Sequence, residues 1–134
     1  MSDELTMVAR LLLAAALGAI IGFQREKAHK PAGLRTHTLI AMGAAMFTLV
    51  STFGFFGADP SRIAAGVVTG IGFLGAGAII HRTRVVEGLT TAASIWAVAA
   101  IGLAAGAGFY ILAPVATVIV FLVLYFHPGN HKEE

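Results

Sequence analysis

The chain contains no cysteine. That single absence removes disulfides, thiolate metal sites and cysteine nucleophiles together. Charge is nearly as scarce: Lys, Arg, Asp and Glu make up 12% of the 134 residues, against about 25% in an ordinary soluble domain. The polar residues needed to cover a water-facing surface are missing, while 57% of the chain is hydrophobic and the mean hydropathy is +0.85. A soluble globular enzyme and a disordered tail are both excluded. What remains is an integral membrane protein, one domain at this length. The pI of 9.4 suggests a basic protein, yet the net charge is only +2. We read that charge as loop topology and not as nucleic-acid binding.

What is present is a set of apolar blocks. A helix needs roughly 20 apolar residues to cross a hydrocarbon core of about 30 Å. Blocks of this kind run over 5–23, interrupted once by Arg10, then over 36–56 and 63–80. No charged residue occurs between Glu87 and Lys132. That stretch is too long for one crossing and predicts a hairpin, with spans over 89–105 and 109–126. Gly102, Gly106 and Gly108 mark its bend, and Pro114 falls in the first turns of the last span, where a missing N–H costs least. The expected fold is all-α, with five transmembrane helices.

Lys and Arg favour the cytoplasmic side of a membrane. Arg25, Lys27, Lys30 and Arg35 fill the first loop, Arg82 and Arg84 the third, and Lys132 the tail. The opposite side receives Arg62 in the second loop and Asp3 and Glu4 at the N-terminus. Every loop agrees on N-terminus out and C-terminus in. The first span is expected to be retained, because a signal peptide starts with a basic region and this chain starts Ser2-Asp3-Glu4.

Gly70-Ile71-Gly72-Phe73-Leu74-Gly75 matches a dinucleotide fingerprint by spacing. That motif needs a strand before it, a helix after it and an acidic residue about 20 positions on. Here it lies inside an apolar span, so packing is the better reading. At 100° per residue, Gly66, Gly70 and Gly77 share one face, with Gly72 and Gly75 nearly opposite. Small residues let helix backbones approach closely in lipid. The third span is therefore expected to be the central helix, touched on two sides. Gly18-x-x-x-Gly22 and Gly102-x-x-x-Gly106 give the first and fourth spans one face each. One of these two faces is expected to be left over for a second copy or another membrane protein. The expected assembly is a homodimer or higher homo-oligomer in the bilayer.

The polar candidates each carry a structural and a functional reading. Asp59, followed by Pro60, is a helix start or an outer carboxylate that collects cations. Arg10, the only charge within a span, either snorkels to the interface or serves as a functional intramembrane charge, able to pair across an oligomer interface. Thr36 and Thr90 are expected N-caps. Two helix N-termini beside Arg25, Arg35, Arg82 and Arg84 make an electropositive inner vestibule suited to phosphate or acidic headgroups, or simply reflect topology. The hydroxyls within the spans form no recognisable ligand set. His29, His37, His81, His127 and His131 lie at membrane edges or in the tail, without zinc-site spacing on a span. No catalytic residues, cofactor or enzyme activity are expected.

Read in order, Ile21-Gly22-Phe23-Gln24-Arg25-Glu26, Ala32-Gly33-Leu34-Arg35-Thr36-His37, Asp59-Pro60-Ser61-Arg62-Ile63-Ala64-Ala65, Gly70-Ile71-Gly72-Phe73-Leu74-Gly75-Ala76-Gly77 and Gly88-Leu89-Thr90-Thr91-Ala92-Ala93, with Trp96 following, resemble the MgtC/SapB family. The resemblance covers the first span through the fourth. It implies a bacterial inner-membrane protein of about five spans, linked to growth in low magnesium and, in pathogens, to survival inside macrophages. Members were first named as magnesium transporters; some are treated as regulators of ATP synthase or of a sensor kinase. Arg25, Arg35, Thr36, Arg62, Thr90 and Thr91 are the polar positions of these motifs. Gln24 replaces a Glu found in many members, and Gly66 a Gln, which weakens a transport site built on either. The chain ends at Glu134, so no regulatory input through the soluble domain carried by some members is expected.

Two mechanisms follow. In one, the protein is a small Mg²⁺ or ion transporter or channel, with Asp59 as metal ligand outside and Glu26 and Glu87 inside. In the other, it is a non-transporting membrane regulator that binds another complex. Basic residues on the inner side oppose a dication on Coulomb grounds, and the spans contain no carboxylate.

Overall fold

A computed structural model describes residues 3–81 and 86–126, with the side chains of 80–87 left aside. The expectations placed on the side chains of His81, Arg82, Arg84 and Glu87, and on His127, His131 and Lys132, lie outside the described residues. Five helices follow one another: α1 (Asp3–Lys27), α2 (Leu34–Gly54), α3 (Ser61–Gly77), α4 (Leu89–Gly106) and α5 (Leu112–Tyr125). Between α3 and α4, Ile80–His81 and Val86–Glu87 pair antiparallel, Ile80 opposite Glu87 and His81 opposite Val86. That two-residue ladder is the one non-helical pairing among the described residues.

Three helices, α1, α2 and α4, are long and apolar enough to cross a membrane. At 1.5 Å rise per residue, α3 reaches about 25 Å and α5 about 21 Å, shorter than expected. α5 starts at Leu112 and not at 109 because Gly108 takes φ +93° and turns the chain before the helix begins. Pro114 then falls in the first turn of α5.

The centre of the bundle is built by α1, α2 and α4. α2 lies between the other two, and Ala41 shows how. A Cβ at Gly18 of α1 would come within 2.7 Å of both Ala41 Cβ and the His37 carbonyl oxygen; a Cβ at Gly102 of α4 would collide with Ala41 O and Cα. One helical turn on in each helix the pattern repeats, with Gly22 against Leu34 and Gly106 against Ala45. Both Gly-x-x-x-Gly faces are thus occupied by α2. Ala14, Leu17, Ala45, Ile101, Ala105 and Ala113 form one apolar cluster, and Ile21, Ala41, Val98 and Leu124 the next. α5 closes the α1/α4 side.

This arrangement corrects the place expected for the third span. α3 packs on α4 at the margin and touches α2 only lightly. A Cβ at Gly66, Gly70, Gly72 or Gly77 would meet nothing within 4 Å, and only Gly75 nears a neighbour, 3.5 Å from Ala92 O. The periodicity places glycines along a face of α3 but does not say what lies against it. The surplus small-residue face belongs to α3, not to α1 or α4.

Candidate functional site: a buried polar node

The ends of α1, α2 and α4 converge on a cluster of polar side chains. Arg25, in the last turns of α1, is only 2% exposed. Its Nη2 donates to Thr91 Oγ1 of α4 at 2.9 Å. His37 of α2 is fully buried, its Nδ1 2.9 Å from Gly33 O and its Nε2 2.9 Å from Ser94 Oγ. A carbonyl can only accept, so Nδ1 carries a hydrogen. Ser94 Oγ also lies 2.7 Å from the Thr91 carbonyl oxygen. Its single hydroxyl hydrogen therefore serves either Thr91 O or His37 Nε2 at a given moment. The node ties three helices by hydrogen bonds at the point where Gly22 and Gly33 bring α1 and α2 into backbone contact.

Glycine shapes the starts of both helices that enter here. Gly33 precedes α2, and Gly88, at φ +90°, precedes α4. The expected N-cap roles of Thr36 and Thr90 are corrected: both sit inside the first turn of their helix, one or two residues past the end. For α2 the capping oxygen comes from α1. Glu26 Oε1 accepts from Leu34 N–H at 3.0 Å. The favourable pairing of a carboxylate with a helix N-terminus explains that contact, so the expected inner carboxylate is engaged in holding α1 to α2.

At the far end of α2, Asp59 Oδ1 accepts from the Ser61 N–H at 3.0 Å and from the Ser61 hydroxyl at 2.8 Å. Pro60 takes the N-cap position and Asp59 lies one residue earlier, yet Asp59 supplies the helix-starting oxygen as expected. Those two bonds, with a smaller contribution from Arg62, hold its carboxyl below the ordinary range. Asp59 and Glu26 are separated by the length of α2, about 30 Å. No cluster of three or more metal-ligating side chains forms among the described residues. Between the two ends the interior is largely Ala, Leu, Ile and Val, and its buried hydroxyls are spent on backbone carbonyls, Thr117 Oγ1 donating to Ala113 O at 2.8 Å and Ser51 Oγ to Pro60 O at 3.4 Å.

Arg10 is clamped within the chain. Its Nε donates to Tyr110 Oη at 2.9 Å and its Nη1 to Gly106 O at 3.2 Å. The guanidinium faces the rings of Phe53 and Tyr110 at 5.9 and 5.6 Å. A cation at the carbonyl end of α4 is favourably placed, and Gly108 leaves it room. Pairing across an oligomer interface is not needed to satisfy it. Arg35 and Thr36 are exposed on the first turn of α2, and Arg62 on that of α3. Of the expected motif positions, Arg25 and Thr91 meet in the node. In the sequence His37 reads only as a candidate zinc ligand and as part of a motif block, and Ser94 only as one of the span hydroxyls; nothing local pairs them, because they meet across 57 residues.

A cleft of 580 Å³ opens between α2 and α3, with Gly43 on one wall and Gly66, Gly70 and Arg62 on the other. Its lining is otherwise apolar.

Comparison with known proteins bears on the whole chain. YhiD of Escherichia coli (strain K12), named provisionally as a magnesium transporter, is 51% identical over 129 residues, covering 90% of this chain and 60% of its own length. Protein MgtC of Brucella abortus (strain 2308) is 50% identical over 107 residues, 80% of this chain and 45% of its own. Protein SrpB of Synechococcus elongatus is 43% identical over 137 residues, 91% of this chain and 75% of its own. The chain thus spans roughly half to three quarters of these relatives. No solved structure matches it. The model of the MgtC family matches residues 11–132, and with relatives at this identity the chain is a membrane protein that belongs to the MgtC family.

Proposed function

We propose that the protein is a five-span bacterial inner-membrane protein of magnesium or ion homeostasis that acts through helix contacts with other chains, as a non-transporting regulator. The observation that carries this reading is the contrast between a closed protomer and an open glycine cleft. The interior joining Glu26 to Asp59 is largely apolar and the hydroxyls of Ser51 and Thr117 within it are bonded to backbone carbonyls, so it offers no ladder of carboxylates to a hydrated dication. The α2/α3 cleft has glycine on both walls, and glycine at a membrane surface serves close helix approach. A helix of a second copy is the occupant we assign to it, since most homo-oligomers are closed and symmetric; a sensor kinase or ATP synthase subunit would use the same face.

A second reading is transport of Mg²⁺ or another ion, supported by the name of the 51% identical YhiD. Proteoliposomes holding only the purified protein separate the two. The regulator reading expects no flux of Mg²⁺ or other ions above empty vesicles; robust flux would put transport first.

The loop charges support N-terminus out and C-terminus in. Single cysteines at Lys30 and Asp59, in a chain otherwise free of cysteine, test it with an impermeant reagent in cells with a permeabilised outer envelope. Labelling at 59 and not at 30 is expected; the reverse would invert the topology.

A further inference from the structure

A second cleft, of 550 Å³, lies between the C-terminal ends of α1 and α5. Phe23, Arg25 and Lys27 of α1, with Lys30 just beyond it, line one side; Phe121 and Tyr125 of α5 line the other. We infer that this cleft binds the headgroup of an anionic glycerophospholipid, its phosphate against the lysines and its first acyl carbons along the aromatic wall.

Charge is the first ground. Two helix C-termini meet here, and each contributes about half a negative charge. Lys27 and Lys30 set two full positive charges against them, while the Arg25 guanidinium is engaged with Thr91. Glu26, the carboxylate next in sequence, is turned away to Leu34 N–H. Walls of mixed character are the second ground. A free inorganic phosphate gains nothing from Phe23, Phe121 and Tyr125, whereas a lipid presents both a phosphate and hydrocarbon. Phe121 and Tyr125 stack at 6.0 Å and 10° and form a rigid apolar surface. Lys27 Nζ lies 5.6 Å over the Phe23 ring, so its stem runs along the aromatic side while its charge stays at the cleft. Tyr and neighbouring cations at the end of membrane helices mark headgroup depth, and basic pockets between such helices suit anionic headgroups.

Gln24 adds a polar contact. Its Nε2 donates to Leu124 O at 3.4 Å, joining α1 to α5 at the cleft wall, and its buried Oε1 has no hydrogen-bond partner among the described residues. A headgroup hydroxyl, as in phosphatidylglycerol, is a donor of the kind that oxygen lacks.

The test is native mass spectrometry of the purified protein in mild detergent, titrated with short-chain phosphatidylglycerol or phosphatidylcholine. Phosphatidylglycerol adducts are expected at concentrations at least about tenfold lower. Lys27→Gln and Lys30→Gln should each weaken them about fivefold, and the pair about 25-fold. Arg35→Gln removes the same charge nearby but outside the cleft, and should change binding by less than about twofold. A tenfold excess of inorganic phosphate should displace little lipid. Equal retention of the two lipids by the parent overturns the proposal independently of any variant. An Arg35→Gln loss as large as that of Lys27→Gln would show diffuse attraction, and displacement by inorganic phosphate would show a free-anion site; either contradicts a lipid cleft.

Discussion

The glycines of α1 and α4 and those of α3 look alike in sequence, recurring at four- or seven-residue spacing on one face of an apolar helix. Their surroundings differ completely. Gly18, Gly22, Gly102 and Gly106 have another backbone where a side chain would be, whereas Gly66, Gly70 and Gly77 face open space. The first set builds the protomer and the second is available to something outside it. In lipid, where apolar burial drives helices together only weakly, such close contacts and a few hydrogen bonds carry much of the association. The comparison therefore separates glycines that the fold itself requires from glycines that it leaves uncovered.

The largest expected effect comes from forcing a side chain into the first set. Gly102→Leu puts three more carbons beyond a Cβ that already collides with Ala41 backbone. Overpacking costs about 1–3 kcal/mol where neighbours can shift, and a backbone flanked by two helices cannot shift far. We expect loss of the folded protein, read as aggregation on size exclusion. Gly70→Leu should elute as a folded species with a melting temperature near that of the parent. A folded Gly102→Leu protein would break the comparison at its core.

Next comes the polar node. Thr91→Val keeps the shape but removes the acceptor facing a buried guanidinium. Hydrogen bonds to charged groups contribute about 1.5–3 kcal/mol, and membrane interiors temper this, so we expect about 1–2 kcal/mol of destabilisation. Thermal unfolding in detergent measures it. No change in melting temperature would mean that the node does not hold α1 to α4. A smaller loss, about 0.5–1.5 kcal/mol, is expected for Tyr110→Phe, which removes the 2.9 Å bond to Arg10 while leaving the ring contact. An effect exceeding that of Thr91→Val would shift the weight of the fold from the node to the Arg10 clamp.

The smallest effect is at Asp59. Its carboxyl is held below its ordinary value of 3.8, first by Ser61. A depressed folded-state pKa adds stability that is present above the unfolded value and is lost as pH falls through the folded one. The contribution should be full at neutral pH and fade only below pH 3.8. Asp59 is fully exposed, so Asp59→Asn should barely alter stability at neutral pH and should flatten a slight acid limb. An acid limb unchanged in Asp59→Asn would assign the effect to another group.

Much of this architecture was readable from the residues. Apolar blocks and breaks located the helices, and the Gly-x-x-x-Gly pairs of α1 and α4 announced close packing; of the glycines expected at the hairpin bend, Gly108 lies there, Gly106 ends α4 and Gly102 lies inside it. What failed was the ranking of glycine faces: α3 has more glycines, but periodicity reports a face and not its partner. The caps failed for a related reason. Thr36 and Thr90 satisfy the local rule, yet Glu26 reaches Leu34 N–H from another helix, which no local rule contains. His37 and Ser94 were invisible as a pair because sequence separation hides spatial contact, while Arg25 and Thr91 were legible only through the motifs that carry them.

The central claim is that α3 presents its glycines to another chain while the protomer stands without them. Native mass spectrometry of the parent and of Gly70→Leu, released from the same lipid nanodiscs, tests it most directly. The account predicts oligomers for the parent and intact monomers for Gly70→Leu. Oligomers that persist in Gly70→Leu, or a parent that is monomeric throughout, would contradict it.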